Sequence, residues 1–247
     1  MSTGLGIDIG GTGIKGAIVD LDAGALAADR IRIPTPQPAT VDAVLDVTHQ
    51  VIERAGWDGP VGCTFPGIVR HGTIRSAANV DDGWIGVDLA ERLQDRIGQP
   101  AIVLNDADAA GLAEIRYGAG RGRSGVIVVV TLGTGIGSAL FVDGTLVPNT
   151  ELGHLELDGH VAETRAANSA REREDLKYKT WAKRLQTYFS HLELLFSPDL
   201  FIVGGGVSKK ADKFLPRLEL TAEIVPAALR NESGIVGAAA AATRRPE

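Results

Sequence analysis

Two glycine turns, each set between apolar runs, constrain this chain more than any other feature. The first turn, Asp8-Ile9-Gly10-Gly11-Thr12-Gly13-Ile14-Lys15-Gly16, joins the runs Leu5 to Ile9 and Ile14 to Val19. The second, Leu132-Gly133-Thr134-Gly135-Ile136-Gly137-Ser138, lies between Val126 to Leu132 and Ala139 to Val142. Each predicts a β-hairpin whose glycines leave backbone N–H groups open to an anion. Asn105-Asp106 stands between them. Two phosphate cradles with an acid between them suggest phosphoryl transfer, with the acid as base.

Around these turns the pattern is α/β. The periodicity predicts a helix after Thr40 with Val41, Val44, Leu45, Val51 and Ile52 on one face, and a strand from Val61 to Phe65. A hairpin at His71-Gly72, a helix carrying Leu89, Leu93 and Ile97, and a strand from Ala101 to Leu104 follow. Beyond Asn105 come a helix through Tyr117, the second cradle, one long polar helix from about Thr164 to Leu195, and a strand from Leu200 to Val203 that ends in Gly204-Gly205-Gly206. The expected division is a small lobe over 1–104, a large lobe over 105–232, and a C-terminal helix over 233–247 that packs back on the small lobe.

Composition excludes several classes. With 247 residues, 44% of them hydrophobic, the chain can bury the core of one or two domains. Cys63 is its single cysteine, so an internal disulfide and a thiolate-rich zinc site are both excluded. A formal charge of −6 argues against general nucleic-acid affinity. No apolar run is long enough to span a bilayer, and Met1-Ser2-Thr3-Gly4 leads straight into a strand, so the expectation is a cytoplasmic protein without a membrane partner.

The chemistry-bearing residues keep more than one reading. Asp8 sits on an apolar strand and needs partners there; a hydrated Mg²⁺ near phosphates would supply them, and so would the N–H groups of its own turn. Lys15 is either a phosphate ligand or a solvated strand residue. The first cradle is not a P-loop, because no Gly-Lys-Ser/Thr closes it and a strand follows. The second half-matches a dinucleotide fingerprint, but Ser138-Ala139-Leu140-Phe141-Val142 reads as a strand, which removes the dehydrogenase reading. Asp106 follows a strand, where ligands gather in α/β proteins, yet Asp106 or Asn105 fits a helix N-cap equally well. Glu151, His154 and Glu163 are candidates for sugar hydroxyls; two histidines near carboxylates also raise a metal, although the spacing matches no common zinc pattern.

The order of these segments, with Glu151-Leu152-Gly153-His154 and Phe201-Ile202-Val203-Gly204-Gly205-Gly206-Val207, resembles the ROK sugar kinases of the actin-like ATPase superfamily, which share a ribonuclease H-like fold. Ile33-Pro34-Thr35-Pro36, Val61 to Gly67, Ser76 to Val80 and Asn149 to Gly159 are similar to the polyphosphate-using glucokinases within that family. The resemblance implies a two-lobed homodimeric enzyme with Asp106 as general base. It places Asn79, Asn105, Asp106, Glu151, His154 and Glu163 on glucose. The donor, inorganic polyphosphate and also ATP, would meet Asp8, Gly10, Gly11, Thr12, Gly13 and Lys15 in the first cradle, Thr131, Gly133, Thr134 and Gly135 in the second, and Gly205, Gly206, Lys209 and Lys210 after the last strand. Mg²⁺ would be held near Asp8, mostly through water. The chain departs from most of the family in lacking the cysteine-rich zinc segment after His154.

A polyanion needs cations spaced along a groove. Lys209, Lys210 and Lys213, with Arg121 and Arg123, offer them. The alternatives are an ATP-dependent ROK hexokinase of other sugar specificity and a non-catalytic sugar sensor. A ROK-type regulator would need a DNA-binding domain before the first strand.

Overall fold

The computed structural model describes residues 2–76 and 82–243. Asn79 lies outside the described residues. The chain divides into two compact units, Met1–Ala113 with Glu232–Glu247, and Glu114–Asn231.

In the first unit, β1 (Thr3–Gly10) and β2 (Gly13–Asp20) form the expected hairpin, with Gly10 opposite Gly13. β3 (Ala25–Leu26) and β4 (Ile31–Ile33) both pair with β2. α1 (Val41–Ala55) follows; Thr40 holds its N-cap position without a side-chain cap, and Gly56 closes the helix at φ 62°. β5 (Val61–Phe65) lies parallel to β1. β6 (Val69–Arg70) and β7 (Thr73–Ile74) make the hairpin expected at His71-Gly72, both residues having positive φ. α2 (Leu89–Ile97) starts where the Asp88 carboxylate accepts the Glu91 N–H, and β8 (Ala101–Asn105) completes the sheet parallel to β5. The order is β3-β2-β1-β5-β8. Leu5, Ile7 and Ile9 of β1 are buried in one cluster with Val44, Leu45, Val51 and Ile52 of α1. α3 (Asp106–Tyr117) carries the chain into the second unit.

The second unit repeats that grammar. β9 (Val126–Leu132) and β10 (Ile136–Val142) pair antiparallel, and β11 (Thr145–Val147) extends them after a turn at Asp143-Gly144. β12 (Glu156–Leu157) and β13 (His160–Val161) form a small hairpin. In place of one long helix there are three: α4 (Ala162–Ala166), α5 (Asn168–Arg173) and α6 (Tyr178–Phe196). Two residues explain the breaks. Ala167 is extended at ψ 157°, and Asp175 adopts φ 47°, so neither continues a helix. The first break frees Ser169 to donate its N–H to Gly133 O at 3.0 Å and its hydroxyl to Thr134 O, anchoring the second cradle. Only α6 is long, and it buries Trp181, Leu185, Tyr188, Phe189 and Leu192 against Val128, Val130, Phe201 and Val203.

β14 (Leu200–Gly204) lies parallel to β9, and β15 (Glu223–Pro226) parallel to β14, giving the order β11-β10-β9-β14-β15. Both sheets therefore read antiparallel, antiparallel, parallel, parallel. Within the second unit the buried Glu114 carboxylate accepts the N–H groups of Ala119, Ala228 and Leu229 at 2.8–3.0 Å, which satisfies a charge that would otherwise be costly.

α7 (Ser233–Ala242) packs on the first unit, as its alanines suggest. The approach is backbone to backbone: a Cβ on Gly6 would lie 1.9 Å from Ile235 O, one on Gly62 1.8 Å from Ala238 O, and one on Gly237 1.7 Å from Ala109 O. Among the described residues no helix is long and apolar enough to cross a membrane.

Candidate active site

In the first unit the antiparallel register sets Asp8 directly across from Lys15. Their side chains form an ion pair at 2.9 Å, and the Thr64 hydroxyl from β5 donates to the other Asp8 oxygen at 3.0 Å. The carboxylate therefore finds its partners, Lys15 and Thr64, on the neighbouring strands β2 and β5. The burial cost that called for a metal is met by the protein itself. Gly11 and Thr12 are exposed at the tip, and Thr35 donates its hydroxyl to Gly10 O, tying the connection after β4 to the end of β1.

Asn105 resolves the capping question. Its Oδ1 accepts the N–H groups of Ala107 at 2.8 Å and Asp108 at 3.1 Å, and its Nδ2 donates to Gly67 O at 3.1 Å. Asn105 is buried and caps α3. Asp106, the next residue, is the first of the helix and is exposed, with Oδ1 accepting the Ala107 N–H at 2.9 Å. With the cap supplied by its neighbour, the Asp106 carboxylate faces solvent from the end of β8.

In the second unit three separated residues come together. Glu151 precedes a short 3₁₀ turn, Leu152–His154, which His154 ends, and Glu163 lies in the first turn of α4. His154 Nε2 is 3.8 Å from Glu151, and His154 Nδ1 is 3.8 Å from Glu163 Oε1. The other Glu163 oxygen accepts the Ile136 N–H at 3.1 Å, at the end of the second cradle. A Cβ on Gly135 would stand 2.4 Å from that oxygen, so glycine there admits the carboxylate. Burial pushes the Glu151 carboxyl above the usual range, with His154 opposing and Glu163 reinforcing the shift. Thr131 pairs with Gly137 on β10 and Gly204 on β14. Gly205, at φ 84°, lets the chain pass the Leu132 backbone, where a Cβ would meet Leu132 O at 2.4 Å. Gly133 and Gly206 have open space at the Cβ position. Lys209 and Lys210 are exposed on the following 3₁₀ segment, whereas Arg123 is paired with Glu223.

Supporting residues escaped the sequence reading. Ser138 accepts the Leu152 N–H at 3.0 Å and donates to Thr150 O, fixing the segment that carries Glu151 and His154 to β10. Thr64 holds Asp8, and Ser169 holds the cradle. The available signal was a lone hydroxyl in an apolar strand, which describes Ser138 and Thr64 but not Ser169.

Among the described residues no group of three or more His, Cys, Asp or Glu could hold a metal ion. Mg²⁺ commonly uses one or two carboxylates and takes its other ligands from water and substrate phosphates. The single Asp8 carboxylate fits an ion carried by a phosphate donor and reached through water, not a protein cage.

Two sheets of one strand order, each opening at a glycine hairpin, define a protein of the actin-like ATPase fold, with the Glu151, His154 and Glu163 side chains gathered beside the second glycine turn. The chain belongs to the ROK family, whose model matches residues 4–171. It is 55% identical to the polyphosphate glucokinase of Mycobacterium tuberculosis (strain CDC 1551 / Oshkosh), over 96% of this chain and 90% of that protein. It is similar in structure to the inorganic polyphosphate/ATP-glucomannokinase of Arthrobacter sp. strain KM, with a TM-score of 0.91 and 58% identity over 97% of both chains. A ROK family glucokinase from Streptomyces griseus, solved in complex with glucose and AMPPNP, matches with a TM-score of 0.83 and 25% identity over 98% of this chain and 99% of that one.

Proposed function

We propose that this chain is a polyphosphate-using glucokinase, which transfers the terminal phosphoryl group of inorganic polyphosphate, and of ATP, to the 6-hydroxyl of glucose. The observation that carries the reading is the Glu163 carboxylate, shared between His154 and the N–H of Ile136. It joins a cluster suited to sugar hydroxyls to a glycine cradle suited to phosphate. The names of the similar proteins support the choice of donor and sugar.

In the reaction Asp106 accepts the proton of the 6-hydroxyl as its oxygen attacks the terminal phosphorus. The bond to the bridging oxygen breaks, and the donor leaves one phosphate shorter. Glu151, His154 and Glu163 orient the sugar through its other hydroxyls, with Asn79 and Asn105 as further ligands. Asn105 spends its oxygen on the helix cap, so its contribution is the remaining amide N–H. N–H groups at Gly10, Gly11, Thr12 and Gly13, and at Thr134 and Gly135, hold the donor with Thr131, Gly133, Gly205, Gly206, Lys209 and Lys210, the Gly133 N–H itself closing the turn on Gly135 O. Lys15 opens from Asp8 toward phosphate. Asp8 would hold Mg²⁺ through water, and the ion would supply charge neutralisation on the donor oxygens. The enzyme is cytoplasmic and a homodimer in this reading.

A coupled assay for glucose 6-phosphate, run with glucose and either long polyphosphate or ATP, tests it. Product with polyphosphate is the expected result. No product with either donor overturns the reading.

A further inference from the structure

The second unit carries a groove that the reaction above does not use. It has a volume of about 450 Å³ and is lined by Lys179, Lys183 and Arg217, with Ala182, Gln186 and Glu219. Lys179 and Lys183 are one turn apart on the exposed side of α6, which places their stems about 5–6 Å from each other. Gln186 holds the far wall, donating to Glu219 O and accepting the Glu219 N–H at 2.7–2.8 Å. Three cations thus face a single carboxylate.

These cations lack the counter-charges that several arginines of the chain have. Arg92, Arg96, Arg123, Arg171, Arg173 and Arg184 each lie within 4 Å of a carboxylate. Among the described residues Lys179, Lys183, Lys213 and Arg217 have no such pair. Clustered cations without counter-charges repel one another, which is a standing cost that a bound polyanion would remove.

The groove is also connected to the second cradle. Ser169 of α5 holds Gly133 and Thr134, and two residues on, Arg171 stacks over the Tyr178 ring at 4.8 Å. Lys213 Nζ lies over the same ring at 5.6 Å, and the Arg217 side chain donates to Lys213 O at 2.9 Å. Cations therefore follow one another from the cradle to the groove, within one unit.

We propose that this path holds the distal phosphates of a long inorganic polyphosphate whose reacting end lies in the second cradle, with Lys179, Lys183 and Arg217 as its outer subsite. The inference rests on the donor reading given above and specifies where the rest of that donor runs. It also predicts which donors feel the subsite. ATP ends after three phosphates and does not extend to the groove, whereas a chain of many phosphates does.

The test is a double charge inversion, Lys179→Glu with Lys183→Glu, at two exposed helix positions outside the proposed catalytic groups. KM is measured for long polyphosphate, for tripolyphosphate and for ATP, at low and at physiological salt. A second variant, Arg30→Glu with Arg54→Glu, makes the same change in net charge on exposed residues of the first unit. The expected result is a rise of roughly 10-fold in KM for long polyphosphate at low salt, shrinking as salt screens the path, with tripolyphosphate and ATP unchanged. The control variant should leave all three donors unchanged. An unchanged KM for long polyphosphate, an equal rise for all donors, or an equal effect of the control overturns the subsite while leaving the kinase reading standing. A parent enzyme that uses ATP but no polyphosphate overturns the donor reading, and the subsite with it.

Discussion

The two units share a strand order and differ in how each hairpin turn is supported. In the first, the turn closes Gly10 on Gly13 and its charged groups come from the strands, where Asp8 and Lys15 answer each other across the register. In the second, the turn is one residue longer and borrows its support from elsewhere, with the Glu163 carboxylate arriving from α4 and the neutral Ser169 hydroxyl from α5. The difference teaches that a repeated scaffold can be specialised at its turns. One unit keeps its carboxylates free of the sugar-type cluster and exposes Asp106 at a helix start, which suits chemistry. The other gathers two carboxylates around an imidazole, which suits recognition.

The sharpest way to break this division is at Asp106. If the first unit supplies the base and the second the sugar contacts, Asp106→Asn should lower kcat by roughly 10²–10⁴-fold while glucose binding, read by calorimetry, stays close to that of the parent. A folded variant with turnover within a few-fold of the parent would end the assignment. Next in size is a change that strikes only the first unit. Gly237→Ala puts a methyl group against the Ala109 carbonyl, so it should cost about 3 kcal/mol in denaturant unfolding. A neutral outcome would mean that α7 shifts freely on the sheet.

In the second unit, Glu163→Ala removes a partner from both His154 and the Ile136 N–H. The expected loss in kcat/KM is roughly 10- to 100-fold, and it should appear for donor and sugar alike, because one carboxylate serves both. A change confined to the glucose KM would separate the cradle from the sugar cluster.

The smallest effect concerns pH. Burial raises the Glu151 carboxyl, so on acidification it takes up its proton before an ordinary glutamate does. The glucose KM should rise through that window in the parent and stay high and flat in Glu151→Gln. The sign for stability is opposite. A folded-state value above the unfolded one contributes stability below the unfolded value and loses it as pH rises through the folded one. Glu151→Gln should therefore show no loss of stability at neutral pH, and a clear loss in thermal unfolding would contradict the burial argument.

Much of this was legible in the sequence because periodicity and glycine placement carry it. Both hairpins, α1, α2, β5, β8 and the Ala-rich α7 were expected where they stand. The division of the helical stretch expected from about Thr164 to Leu195 was not legible, since its breaks at Ala167 and Asp175 follow from tertiary bonds to the cradle and from one positive φ, neither of which composition announces. Asn105 and Asp106 were equal candidates for the cap by pattern, and only the hydrogen bonds to Ala107 and Asp108 decide between them. The Asp8–Lys15 pair was readable in principle, because a two-residue turn between Gly10 and Gly13 sets those positions opposite each other. The meeting of Glu151 and His154 with Glu163 depends on how the chain returns through β12 and β13, and no local rule gives that path.

The contact of α7 with β1 and β5 has a consequence for how the molecule is made. A ribosome delivers every strand of the first unit early, yet the helix that covers their glycine face is synthesised only after the whole second unit. During that interval Gly6 and Gly62 line a bare surface. The second unit is continuous in sequence, so the expectation is that it completes its fold before the first unit receives α7, against the usual amino-to-carboxyl order of domain folding. Nascent chains stalled before Ser233 should accordingly present a protease-resistant second unit and a sensitive first one.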